Sequence, residues 1–419
     1  MTTTPTADDP RRDPYAAFRF RDYRLLFLSK SIAITGEQMA STAIGWHIYK
    51  VTDSELALGL VGLVQVIPVI TLALIAGHVA DRYHRRMVAL LTYIVVALCS
   101  LALYFLVQPE QGSATIPFLY SVLLGLGIAR TFNNPALSTL VPQVVPESVY
   151  ANAVTWSSNS WQLATIIGPA ISGGIIALNK SAAPVFLIEL VLLLIAIVLM
   201  SLIRTPQKPR LAEPTTLHTL SAGFRYIMDT KVILAAVTLD MFAVLFGGAT
   251  ALLPVYAQDI LKVGAEGLGI LQAAPSVGAL LMSALLVNLP PFQKAGRAIL
   301  LAVIGFGAAT IVFGLSTSFP LSLLMLALLG ALDFISVVIR HSLVLIYTPD
   351  EMRGRVSAVN SVFIGTSNQL GAFESGLAAS IGGPIFAVVS GGIGTILVVL
   401  WIGWKWPQLR ELGRLDGAH

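Results

Sequence analysis

The chain has 419 residues, 56% of them hydrophobic and only 11% Asp, Glu, Lys or Arg, with a formal net charge of +4. Soluble domains carry about 25% charged residues, so a soluble fold, a disordered chain and a nucleic-acid binder are set aside in favour of a polytopic membrane protein. The single cysteine, Cys99, lies in an apolar run, which leaves no intramolecular disulfide and no thiolate metal cluster, and no cofactor is expected.

The N-terminus opens with Thr, Pro, Asp and Arg residues. It offers no short apolar segment with a small-residue cleavage site, so the first span is expected to act as its own insertion signal. Residues 1–24 read as a cytoplasmic segment ending in Phe18-Arg19-Phe20-Arg21-Asp22-Tyr23-Arg24, a mixture of rings and cations suited to the headgroup level. A spanning helix needs about 20 mostly apolar residues. Such segments fall at 25–49, 56–78, 87–107, 117–138, 151–177 and 183–203.

A connection over 204–230 follows. Its Thr205-Pro206-Gln207-Lys208-Pro209-Arg210 stretch cannot continue a helix. Leu217, Leu220, Phe224 and Ile227 then recur at helical spacing and predict a short interfacial helix. A second set of spans is expected at 231–256, 266–288, 297–316, 320–343, 355–380 and 384–404, before a cytoplasmic tail over 405–419. The fold class is therefore all-α, with twelve transmembrane helices in two pseudo-symmetric six-helix bundles, 25–203 and 231–404. The fifth and eleventh spans are polar enough to be expected as the weakest of the set.

Basic residues concentrate on one side of this arrangement. With a cytoplasmic N-terminus, the inner segments hold Arg19, Arg21, Arg24, Lys30, Arg82, Arg85, Arg86, Arg204, Arg353, Arg355 and Lys405, among others, whereas only Lys50, Lys180 and Lys262 lie outside. That bias places both termini in the cytoplasm. The halves also echo one another. Tyr49, Gln65 and Pro68 reappear as Tyr256, Gln272 and Pro275 at an offset of 207, and Asn152 and Gly168 as Asn360 and Gly376 at 208. An internal duplication of this kind is how many secondary transporters are built.

Gly77-His78-Val79-Ala80-Asp81-Arg82-Tyr83-His84-Arg85-Arg86 lies between the second and third spans on the basic side. It resembles the signature loop of the major facilitator superfamily. Gly77 permits close helix approach, Asp81 can accept hydrogen bonds or pair with an arginine, and Arg82, Arg85 and Arg86 favour an anionic membrane surface. Gly168-Pro169-Ala170-Ile171-Ser172-Gly173 in the fifth span resembles the Gly-Pro pattern of the antiporter branches, with Ser172 standing where a glycine is usual. Asp350-Glu351-Met352-Arg353-Gly354-Arg355-Val356-Ser357-Ala358-Val359-Asn360 looks like the loop entering the eleventh span of bacterial drug exporters. That branch includes macrolide and enterobactin exporters.

The resemblance implies two bundles rocking about a central cavity lined by spans 1, 4, 7 and 10. Each of these spans carries an ionisable residue, respectively Glu37, Arg130, Asp240 and Asp333. Such groups are costly in lipid and normally face water or a partner. Glu37 is the first candidate for proton coupling, with Asp240 and Asp333 behind it. Arg130 can orient a carboxylate, and Asp333, Ser336 and Arg340 form one polar stripe on a helix. Glu189 reads as a structural or snorkelling residue of a peripheral span, and His47 and His78 as structural. Trp46, Tyr49, Trp156, Trp161, Phe242, Phe246, Tyr256 and Phe334 are candidates for an aromatic substrate wall, packing and interfacial anchoring being the competing roles. The gating set implied by the resemblance is Gly77, Asp81, Arg82, Arg85, Arg86, Arg353 and Arg355. Asp81 is expected near Arg353 to Arg355 when the outer side is open.

No Gly-x-x-x-x-Gly-Lys-Ser/Thr loop, Gly-x-Ser-x-Gly elbow or His-Glu-x-x-His pair occurs, so an enzyme is not expected and an ion gradient must supply the energy. These residues predict a monomeric, proton-coupled exporter of amphipathic or cationic small molecules, drug-like or siderophore-like, in the bacterial inner membrane among its lipids. A lipid or lysophospholipid translocator and a non-transporting receptor or assembly factor are the alternatives.

Overall fold

The computed structural model describes residues 13–108, 112–205, 217–290 and 292–413. The first half contains α1 (Arg21–Thr52), α2 (Glu55–Arg82), α3 (Arg85–Leu106), α4 (Ile116–Val144), α5 (Tyr150–Asn179) and α6 (Ala183–Ser201). After α7 (Leu217–Asp229) come α8 (Lys231–Phe246), α9 (Leu253–Val255), α10 (Gly264–Val287) and α11 (Ala295–Leu315). The chain continues through α12 (Phe319–Tyr347), α13 (Asp350–Gly382), α14 (Pro384–Lys405) and the single turn α15 (Pro407–Arg410).

Among the described residues, ten helices are long and apolar enough to cross a membrane. Two more, α1 with 32 residues and α13 with 33, have the length but not the hydropathy. Of the two spans expected to be weakest, the eleventh (α13) falls short and the fifth (α5) qualifies, while the first (α1) is the unexpected shortfall. Both polar helices turn small and polar groups toward protein. Ser29, Gly36 and Thr42 of α1 are buried, as are Asn360, Ser367 and Ser375 of α13. The seventh span is interrupted. A 3-10 turn over Gly248–Leu252 and a π turn over Tyr256–Ile260 separate α8 from α10, with α9 between them.

Helix ends follow local chemistry. Asp53 adopts a left-handed conformation (φ 48°) that stops α1, and the Ser54 hydroxyl then accepts a hydrogen bond from the Ala57 N–H to start α2. Lys262 repeats the left-handed stop (φ 54°) before α10. Repetition extends to packing. α1 lies on α5 and α6, α2 on α4, and α3 on α4 and α6. In the second half α8 lies on α13 and α14, α10 on α12, and α11 on α12 and α14. The halves meet along two related seams, α2 with α13 and α5 with α10.

Alternating helix directions gather Arg21, Arg82, Arg85 and Arg353 at one end of the bundle, the basic end, and Lys50, Lys180 and Lys262 at the other. Two amphipathic segments brace the basic end. In the first, Asn152 accepts a hydrogen bond from the Ala17 N–H (3.1 Å) and donates to the Pro14 carbonyl (2.7 Å), which Trp156 also caps (2.7 Å). In the second, α7 approaches α13 so closely that a Cβ on Gly223 would sit 2.7 Å from the Arg355 carbonyl oxygen. Ile227 is buried and Phe224 stacks on Phe363 at 6.3 Å. The helix expected at the interface therefore forms, and part of its apolar face is turned onto protein.

Candidate functional site

A cavity of about 860 Å³ lies between the halves. Residues of α1, α4 and α5 form one wall and residues of α10, α12 and α13 the other. It runs from Ser138, Tyr150 and His341, toward the basic end, to Gln162, Pro275 and Gly330 at mid-bundle. At that floor the Gln162 side-chain amide donates to the Ser276 carbonyl (2.7 Å), joining the halves.

Beyond the floor the halves close on each other. A Cβ on Gly269 would stand 2.4 Å from the Pro169 carbonyl oxygen, and one on Gly376 2.5 Å from the Gly59 Cα. The Tyr49 hydroxyl donates to Asp259 and the Thr42 hydroxyl to Gln272, both across the seam. A separate pocket of about 200 Å³, bordered by Gln65, Arg130, Thr250, Pro254 and Gln272, remains on this side. The seventh span, expected on the main cavity wall, contributes to this smaller pocket instead.

Arg130 pairs with Glu37 (2.5 Å) and also donates to the Gln65 side-chain oxygen (2.6 Å). Glu189 lies beside this pair. It is 2% exposed, accepts from the Ser100 hydroxyl (2.9 Å), and shares a pocket of about 30 Å³ with Glu37, Arg130, Tyr93 and Asn133. Of the two roles expected for Glu189, this placement fits the structural one and not the snorkelling one. Its side chain points inward because α6 packs on α1 at Gly36, where an added Cβ would meet the Glu189 Cγ at 3.3 Å. In the second half Arg340 pairs with Asp240, again between first and fourth helices of the bundle. Asp333 is exposed on the cavity wall and has no hydrogen-bond or ion-pair partner among the described residues.

Of the aromatic candidates, Phe334 and Trp161 line the main cavity. Others lie off its wall. Tyr49 is buried at the sealed seam, and Tyr256 is buried while its hydroxyl donates to the Gly314 carbonyl (2.9 Å). Phe242 and Phe246 stack at 6.1 Å, with Phe246 against Gly391 and Gly394 of α14. Trp46 packs on the largest core cluster, and Trp156 belongs to the N-terminal brace. These rings fail to reach the cavity because their helix faces turn onto neighbouring helices, across the sealed seam for Tyr49 and within one half for Tyr256, Phe242, Phe246 and Trp156.

In the signature loop Arg85 is buried and donates to the Ala80 carbonyl (3.4 Å), while Arg86 donates to the Ile203 carbonyl. Arg82 is exposed and Gly77 half-buried. Arg353 donates to the Leu345 carbonyl (3.1 Å) and Arg355 contacts the Met352 sulfur (3.8 Å). The Asp81 side chain lies outside the described residues, as do residues 1–12, 206–216 and 414–419 of the terminal and linker segments. The Gly-Pro motif sits where α5 meets two helices. Gly168 faces Gln38 of α1, Ser172 donates to the Met39 carbonyl (2.8 Å), and Gly173 and the Pro169 carbonyl face α10. Lys30, counted among the basic-end residues from sequence, proves to line the main cavity. Among the described residues no cluster of three or more His, Cys, Asp or Glu is placed to hold a metal ion.

The chain matches the family of transmembrane secretion effectors over residues 12–415. It is similar to the enterobactin exporter EntS of Escherichia coli O1:K1, with 26% identity over 383 residues, 90% of this chain and 89% of that protein. The EntS of Shigella boydii serotype 18 gives the same identity and coverage. Among solved structures, a D-xylose–proton symporter superposes with a TM-score of 0.72 at 16% identity, over 94% of this chain and 99% of that one. A POT family transporter in complex with 5-aminolevulinic acid gives 0.73 at 12%, over 93% and 97%. These two likenesses carry the fold.

Proposed function

Because the chain belongs to the transmembrane secretion effectors, a family of major facilitator transporters, we propose that it exports amphipathic small molecules, drug-like or siderophore-like, in exchange for protons. The protein is a multi-pass membrane transporter with its function in carriage rather than catalysis. In this reading it resides in the bacterial inner membrane with the basic end and both termini in the cytoplasm. The bundles 25–203 and 231–404 move against each other, joined by 204–230 and flanked by 1–24 and 405–419. The cavity then faces the cytoplasm, ready to load.

The observation that carries this reading is the pairing of one large cavity, open toward the basic end, with a seal between the halves beyond Gln162. Siderophore-like cargo is supported by the likeness to exporters of enterobactin. Proton exchange is supported by Glu37, whose ion pair with Arg130 is only half-buried and lies next to the buried carboxyl of Glu189. Protonating Glu37 would release the Arg130 guanidinium toward Glu189, and reprotonation cycles of this kind tie charge to helix position. Asp240 and Asp333 are the second and third candidates, Asp240 being held by Arg340.

The test uses purified protein in liposomes with an internal pH dye and a panel of macrolides, siderophores and lipophilic cations. A compound added on the loading side is expected to move protons in the wild type and to move none in Glu37→Gln that remains folded. Full compound-driven proton movement in Glu37→Gln would overturn the assignment of Glu37.

A further inference from the structure

Lys30 is the unusual group of the main cavity. It stands nine residues into α1, which begins at Arg21, and a helix rises about 1.5 Å per residue, so its Cα is roughly 13 Å from the helix start. Its side chain is half-buried and borders the cavity. No hydrogen bond or ion pair reaches it among the described residues. An ammonium held at this depth has lost part of its hydration and gained no counter-charge from the protein.

The other basic side chains near the wall are accounted for differently. Arg340 is neutralised by Asp240. His341 is exposed on the wall nearer the mouth. Asp333 is the cavity's carboxyl, on α12 of the opposite half, and it makes no ion pair with Lys30. It lies fourteen residues from the end of α12 at Tyr347, or about 21 Å along the helix and so deeper than Lys30. Trp161, 53% exposed, and Phe334 line the same cavity from opposite halves, together with Ser157 and Ser158.

We propose that Lys30 is the anchor for an acidic group on the transported compound, and that the cavity takes aromatic amphiphiles carrying one carboxylate or ionised phenolic oxygen. The ring system lies between Trp161 and Phe334, where an apolar, aromatic wall rewards a flat surface. The anionic group meets Lys30 as a charge-assisted hydrogen bond in a partly dry site, where such bonds are strongest. This selectivity rests on the cavity being the transport site. It does not depend on proton coupling.

Equilibrium binding separates the two. Purified protein in zwitterionic-lipid nanodiscs is titrated by calorimetry, without any pH gradient, with 2-naphthoate, 2-naphthamide and 2-naphthylmethylammonium. Wild type is expected to prefer the carboxylate over the amide by about tenfold. Lys30→Gln is expected to abolish that preference while binding the amide as before, which also shows that the variant is folded, and Lys30→Arg to restore it. Equal binding of acid and amide by wild type, or an unchanged preference in Lys30→Gln, would overturn the proposal. Preference for the ammonium would overturn it too and transfer recognition to Asp333. If the carboxylate preference holds while no proton movement is seen in liposomes, the exchange mechanism fails and the anchor stands.

Discussion

Arg340 reaches Asp240 between α12 and α8 with both side chains nearly sealed from solvent, 4% and 8% exposed. Removing one member of so buried a pair leaves the other charge uncompensated, a loss of about 3–5 kcal/mol, whereas replacing both is far less harmful. Arg340→Gln should therefore lower the thermal unfolding midpoint of the purified protein markedly. Adding Asp240→Asn should recover most of the loss. An unaltered midpoint in the single variant would refute the pairing as a structural device. The Glu37–Arg130 pair is more open, at 36% and 28%, and Gln65 also holds the arginine, so Glu37→Gln is expected to keep its fold and to report coupling. Charges isolated in apolar runs are conspicuous in a sequence, which is why Glu37, Arg130, Asp240 and Asp333 stand out. Side-chain direction is not conspicuous, because a helix apolar all round has no polar face from which to read it. Glu189, on the apolar and peripheral α6, was obscured for that reason, and Lys30, on the more polar α1, by its nearness to the basic end.

The α5–α10 seam makes the seal at the scale of elements. Gly269 approaches the Pro169 carbonyl and Gly173 the Ala265 carbonyl, where a Cβ would sit at 2.4 and 2.5 Å from backbone oxygens that cannot rotate away. Gly269→Val should wedge the seam and favour the state in which this end is open. In a Cys99→Ser background, a cysteine placed at buried Thr42 is expected to react several-fold faster with an impermeant maleimide when Gly269→Val is present. Unchanged labelling in protein that still binds ligand would contradict the seam as the seal. The Gly-Pro motif announces this element from sequence, but only the fold assigns its faces, Gly168 to α1 and Gly173 to α10. The interrupted seventh span was legible in principle. Gly247-Gly248 lowers helix propensity, and Pro254 follows at the first turn of α9, where its missing N–H is harmless. Hydropathy alone reads straight through all three.

The whole molecule is two copies of one packing scheme. The offset of 207 that relates Tyr49 to Tyr256 and Pro68 to Pro275 is accompanied by left-handed stops at Asp53 and Lys262, 209 positions apart, and by equivalent helix contacts in each half. The spans and their duplication were legible because hydropathy and repetition survive in one dimension. The state of the cavity was not, since it depends on which ends of the two seams touch. The N-terminal brace and α7 hold the starts of α5 and α13 in each half, so these two helices report the relative tilt of the bundles directly. Paired spin labels, again without Cys99, are placed at the exposed residues Glu147 and Glu351 near the basic end, and in a second sample at Leu178 and Ile381 at the other end. On adding a transported compound and lowering the pH on the sealed side, the first distance is expected to shorten while the second lengthens. If both distances stay fixed, or change in the same direction, the two halves do not exchange access about the cavity and the account fails.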